Sequence, residues 1–173
     1  MKRWLATALS SGKYDSVLLE KTVLFPESQG TDQVTADTLK QITAYLDEAL
    51  QRELKGVVKL ASQPGPSTVR FKPAITAVAA QNQGLKPYQV VPVAFLFTMA
   101  KKAAGDSPKE ASLAVEYEVR DAENNELVGA GVRRGTGQAL AKPTDKVTLA
   151  AVKPVIDAWA KDARMFFQQQ KPR

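Results

Sequence analysis

The segment from about Thr35 to Lys55 constrains the fold more than any other. Its apolar residues Leu39, Ile42, Leu46, Ala49, Leu50 and Leu54 recur in steps of three and four, which draws one stripe along a helix. The opposite face carries Lys40, Gln41, Asp47, Glu48, Gln51 and Arg52. A helix with a single apolar stripe must lay that stripe on another layer. Thr35 is placed to cap its N-terminus, Asp37 sits at the positive end of the dipole, and Gly56 is a natural stop.

The rest of the chain supplies that layer, mostly as two-residue periods. Ser16 to Phe25 reads as a strand with Val17, Leu19, Val23 and Phe25 on one face. Leu18 and Leu24 make its second face partly apolar, as in an inner strand. Val57 to Leu60 is a short strand, and Pro64-Gly65-Pro66 then forces a turn. Thr68 to Val78 alternates, with Val69, Phe71, Ile75 and Ala77 inward and Thr68, Arg70, Lys72 and Thr76 outward. Pro73 lacks a ladder donor, so it belongs at an edge or a bulge.

Ala111 to Arg120 puts Leu113, Val115, Tyr117 and Val119 on one face and Ala114, Glu116, Glu118 and Arg120 on the other. A polar turn over Asp121 to Asn125 returns the chain through Leu127 to Arg134 as a hairpin. The polar outer face predicts a sheet covered on one side there. Gly135-Thr136-Gly137 and Lys142-Pro143 read as the exit loop. The last helix, about Asp145 to Gln169, has the stripe Leu149, Val152, Ile156, Trp159, Ala163 and Phe167. Pro154 is expected to kink it or to mark its first turn. Between the two halves, Val90 to Ala100 is about half the length of a membrane span. It reads as buried core, with a helix from near Pro92 to before Gly105.

The order β-α-β-β-(α)-β-β-α predicts one α/β (α+β) domain over residues 1–173. It has a mixed sheet of about five strands with two to three helices mainly on one face. A chain of 173 residues buries roughly 70% of its unfolded surface, enough for a core without staples. Residues 1–13 are expected as an N-terminal extension and 168–173 as a frayed tail. Lys2-Arg3 followed by Trp4 to Leu9 imitates the start of a signal peptide, but its apolar stretch is too short. Exposed edges are expected at the strand holding Pro73 or at the strand Leu127 to Arg134, where sheet pairing could join two copies.

Two zeros exclude most chemistry. Without His there is no imidazole base or His metal ligand, and without Cys no thiolate, disulfide or zinc ribbon. Catalysis would fall to carboxylates, Lys, Tyr or hydroxyls. Asp121, Glu123 and Glu126 gather on a hairpin turn but lack the spacing of a calcium loop, so solvated turn residues are the better reading. Glu116 and Glu118 share a strand face, as an acid/base pair could, but so do the residues of a solvated face. No catalytic, cofactor or metal-binding residue is therefore assigned.

Gly129-Ala130-Gly131 and Gly135-Thr136-Gly137 form neither a dinucleotide fingerprint nor a Walker loop. Small residues packing closely under a helix explain them better. Arg133 and Arg134, between those glycines, are the candidate anion- or partner-binding residues. The net charge of +6 is spread along the chain. No helix is basic on one face and no strand carries the aromatics of an RNA-recognition module, so nucleic acid is not the expected partner. Trp4, Trp159 and the Phe166-Phe167 pair read as core or partner-facing aromatics.

Several stretches together resemble a known family. They are Tyr14-Asp15 leading into a hydrophobic strand, the Leu39 to Leu54 helix, Pro64-Gly65-Pro66 followed by Thr68-Val69-Arg70 and Ala74-Ile75-Thr76, the Glu116 to Ala122 pattern Glu-x-Glu-x-x-Asp-Ala, and Asp157-Ala158-Trp159-Ala160. The set is similar to an uncharacterised bacterial lipoprotein family, domain of unknown function 3313. The resemblance implies export and a lipid anchor on an N-terminal Cys in the full-length native form, facing the periplasm. This chain would then be the soluble domain. It also implies a non-enzymatic binding or assembly module whose partner is an envelope protein or cell-wall component. Arg133-Arg134-Gly135 stands where such proteins often carry a basic strand end. The element order looks like the TolB N-terminal and CsgG-like domains, a likeness of fold. The alternatives are a carboxylate-based enzyme or an anion- or nucleic-acid-binding domain.

Overall fold

The computed structural model describes residues 2–83 and 108–169. The elements are β1 (Lys2–Leu5), α1 (Thr7–Ser10), β2 (Ser16–Leu19), β3 (Val23–Leu24), α2 (Ala36–Leu54), β4 (Lys59–Leu60), β5 (Thr68–Asn82), β6 (Lys109–Asp121), β7 (Leu127–Ala139) and α3 (Leu149–Gln169). The helix expected between Pro92 and Gly105 lies outside the described residues.

α2 forms as its stripe requires. Leu39, Ile42, Leu46, Ala49, Leu50 and Leu54 are all buried, and the Thr35 side chain accepts from the Thr38 N–H. Gly56 follows the helix with φ +81°, the left-handed stop that only glycine adopts without strain. α2 packs against α3, and both lie on one face of the sheet. α3 runs unbroken through Pro154, five residues into the helix, and begins at Leu149 rather than Asp145.

The mixed sheet has seven strands in the order β1-β7-β6-β5-β2-β4, with β3 also beside β5. β5, β6 and β7 form an antiparallel meander, while β2, β3 and β4 run parallel to their partners. Parallel strands need a crossover, and α2 is that crossover between β2 and β5. The expected count of about five rises for local reasons. The stretch 1–13, expected as an extension, contributes β1 on the sheet edge and the short α1. β7 continues to Ala139, so the expected exit-loop glycines lie in a strand. The expected edges are consequently inner strands: β6 and β2 flank β5, and β1 covers β7. Of the expected tail, residues 168 and 169 end α3, and the rest lies outside the described residues.

The strand expected over Ser16 to Phe25 is broken in two. Leu19 pairs with Phe71 but Val23 pairs with Ala74, so four steps on one chain match three on the other. This bulge reverses the inward face. Leu24 packs on the core, while Val23 and Phe25 are 55% and 68% exposed, against expectation. The cause is long-range: within the bulge, the Thr22 N–H and Oγ1 both donate to Asp47 Oδ1 of α2, at 2.8 and 2.6 Å.

The bulge also explains Pro73, which is fully buried in an inner strand. The carbonyls of Phe71 and Ile75 accept from the Glu20 and Phe25 N–H groups. Pro73 has the same parity as both, so its missing N–H falls where β2 has ended and β3 has not begun. A second slip, between Ile75 and Ala77, buries Thr76 and turns Ala77 from the core, opposite to expectation, and Val78 is buried with Thr76. Asp47→Ala is expected to lower stability by roughly 2 kcal/mol, because both donors of buried Thr22 lose their shared acceptor. Urea unfolding should show a lower midpoint with an unchanged m-value.

Candidate functional site

The inner face holds two apolar clusters. The larger lies under α2 and α3; the smaller gathers Leu9, Val17, Val69, Val119 and Val128 near α1. At their seam is an apolar cavity of about 90 Å³. Leu46 and Leu50 of α2, Val115 and Val119 of β6, and Leu5 and Leu9 wall it. Tyr117 stacks on Phe71 beside it, centroids 5.4 Å apart, and Trp159, Phe166 and Phe167 line the α3 side.

Glycines set the shape of this face. A Cβ at Gly131 would run into the Tyr117 ring, and one at Gly135 into Val155. A Cβ at Gly137 would run into the Ala151 carbonyl oxygen. The expectation of small residues beneath a helix is met here by Gly135 and Gly137, under α3. Gly131 instead makes room for a tyrosine.

Arg133 shares this face with Gly131 and Gly135, because alternate strand residues point the same way. Its side chain is 16% exposed and its Nη2 donates to Asp162 Oδ2 of α3 at 2.8 Å. Arg134 is exposed on the opposite face. The two adjacent arginines therefore do not form one site. The cation that joins Arg133 at the cavity is Arg3 of β1, whose guanidinium lies 5.6 Å from the Phe166 ring centroid. Burial pushes the Tyr117 hydroxyl above its ordinary range, and the charges of Arg133 and Arg3 pull against that. Asp162 and Arg3 carried no signal in sequence, since 159 positions separate them and neither belongs to a motif.

The carboxylates do not converge. Glu116 is exposed, and Glu118 pairs with Arg120 at 2.8 Å on the same wet face. Asp121 lies on the inner face, 3% exposed. It accepts from Lys13 Nζ at 2.9 Å, from the Tyr14 hydroxyl at 2.8 Å, and from the Glu123 and Asn124 N–H groups. These donors, Lys13 first, hold its carboxyl well below the usual range. Among the described residues no three acidic side chains gather as a metal site.

Asp121 has another role. The stretches Tyr14-Asp15, Pro64 to Thr68 and Asp121-Ala122 meet at one corner of the sheet. Tyr14 reaches Asp121, the Asp15 N–H donates to the Ser67 carbonyl, and the Ala122 N–H donates to the Thr68 carbonyl. Ser16 Oγ and Thr68 Oγ1 are 2.8 Å apart and buried. The residues that carry the family resemblance thus form a joint of the fold.

A joint of this kind marks a fold family more than a chemistry, and comparison with known proteins agrees. The model of the family described as "Protein of unknown function (DUF3313)" matches residues 1–163, and the chain belongs to this family. Over 169 residues it is 31% identical to the uncharacterized lipoprotein YdcL of Escherichia coli strain K12, covering 98% of this chain and 76% of that protein. Among solved structures, protein XCC0632 of Xanthomonas campestris is similar over 91% of this chain and 85% of its own, with a TM-score of 0.51 and 10% identity. PelC of Paraburkholderia phytofirmans, solved as a dodecamer, aligns over 99% of this chain and 96% of its own with a TM-score of 0.49 and 13% identity. The Xanthomonas likeness is one of fold alone. The expected likeness to TolB and CsgG domains gains nothing from these matches.

Proposed function

We propose that this chain is a non-enzymatic binding domain of the bacterial cell envelope, held there in the full-length protein by a lipid anchor. The relative at 31% identity is a lipoprotein, which supports the location. The cavity at the cluster seam carries the binding role: it is concave, apolar and bordered by Arg3, Arg133 and Asp162. Glu116 and Glu118 lie on the opposite, wet face, away from the cavity, which speaks against the carboxylate-enzyme alternative. Arg134 faces away from Arg133, so the paired basic patch that suggested an anion site on that strand is dispersed.

The test places a photoreactive side chain at Phe166, at the cavity, or at Glu116, on the opposite face, of the full-length protein in living cells. After irradiation the protein altered at 166 is expected to gain mass from an envelope component, and that altered at 116 is not. Equal adducts at both positions would contradict a specific site.

A further inference from the structure

The proposed binding role deepens at the same cavity, on whose reading the following inference rests. We propose that the cavity takes part of the hydrocarbon chain of a single-chain amphiphile whose anionic headgroup sits between Arg3 and Arg133. The space of about 90 Å³ is several times what one water needs. Its walls are side chains of Leu, Val, Phe and Trp that offer water few hydrogen-bond partners. Hydrocarbon gains by entering such a space where water does not.

The head is specified by charge. Among the described lining residues the charged groups are Arg3, Arg133 and Asp162, which sum to 2 − 1 = +1. That balance matches one negative charge, as on a carboxylate or a phosphodiester. Asp162 holds Arg133 in place through the 2.8 Å contact, so one cation is positioned before any ligand arrives. Arg3 is exposed on the edge strand, with its guanidinium over the Phe166 ring beside the cavity. The half-buried Tyr117, which lines the cavity, lies within the field of both arginines. Phe166 and Phe167, edge to face at 5.4 Å, give the chain an aromatic wall.

Trp159 at the cavity makes binding visible. In the Trp4→Phe variant it is the remaining tryptophan. Titration of that protein with cis-parinaric acid, a fluorescent fatty acid, should quench Trp159 by energy transfer. Dodecanoate should displace the probe. Dodecylamine, with the same chain and the opposite charge, should do so on the order of tenfold less well. Inorganic phosphate should not displace it, because it has no chain. Arg3→Glu should weaken binding by about tenfold and leave thermal stability unchanged, since the residue is exposed. Ala163→Phe should fill the cavity and abolish binding.

No energy transfer, or equal displacement by the acid and the amine, would overturn the inference. Displacement by phosphate alone would also overturn it, marking an anion site without a chain site. Should Ala163→Phe fail to fold, the Arg3→Glu comparison still decides. Lipid-anchored protein that binds no probe would sink this inference and leave the envelope reading standing. Cytosolic protein that binds the probe would do the reverse.

Discussion

Gly137→Ala is expected to lower stability by roughly 4 kcal/mol, among the larger effects open to a single methyl group. The added Cβ would overlap the Ala151 carbonyl oxygen, which belongs to the backbone of α3 and cannot rotate away. Relief would have to come from lifting the first turns of α3 off β7. Buried Val152 and Ile156 anchor those turns in the core. Gly131→Ala is the control. Its Cβ meets the end of the Tyr117 ring, a side chain that can swing toward the cavity, so its cost should be about half as large. Equilibrium denaturation of the two variants should show this order, and Gly131→Ala should also weaken occupancy of the cavity. Equal costs would mean that α3 does not bear on the strand as closely as its position indicates.

Asp121→Ala ranks second, at roughly 3 kcal/mol, a fall in melting temperature of roughly 6–12 °C for a chain of this size. The carboxylate accepts four hydrogen bonds that join the Lys13-Tyr14 stretch to the hairpin turn. Removing it strips several donors of their acceptor in a partly buried corner. Its acidity gives the prediction a second readout. The folded carboxyl titrates well below its ordinary value of 3.8. The unfolded state therefore binds the proton first, and the stabilisation is complete above about pH 5 and fades as pH falls through the acid range. The gap between the natural protein and Asp121→Ala should be widest near neutrality and narrow toward pH 2. A gap independent of pH would show that the ionised form is not what holds the corner.

Much of this fold is legible wherever a local pattern settles the matter. The α2 stripe needs only the spacing of its leucines, and all six expected positions are buried. The β6 alternation holds from Val115 to Val119, with Val115 and Val119 buried and Glu116 exposed, because one face meets helices and the other meets water, while Ala114, expected on the outer face, is buried. The inward set of β2 and β3 fails at Val23 and Phe25 because a contact between Thr22 and Asp47, 25 positions apart, inserts a bulge. No window of ten residues contains that contact. Pro73 marks the place, but only a known neighbour tells a bulge from an edge.

The site is less legible than the fold. Arg133 and Arg134 look like one basic patch when read in sequence, yet the pleat of a strand separates them. That split follows from both residues lying next to each other within β7. Arg3 and Asp162 join Arg133 from opposite ends of the chain, through β1 pairing on β7 and α3 crossing it. The family marks at Tyr14 and Asp121 are conspicuous in sequence, and in space they secure a corner. The cavity residues carry no motif, since a hydrocarbon chain asks for shape and apolar contact rather than a fixed spacing.

The central claim is that this domain works in the envelope through a lipid anchor. It is tested most directly by expressing the full-length native gene product from its own start codon with labelled palmitate and fractionating the cells. Label in the protein and recovery in the membrane fraction are the predicted result. Unlabelled protein in the cytosol would contradict it.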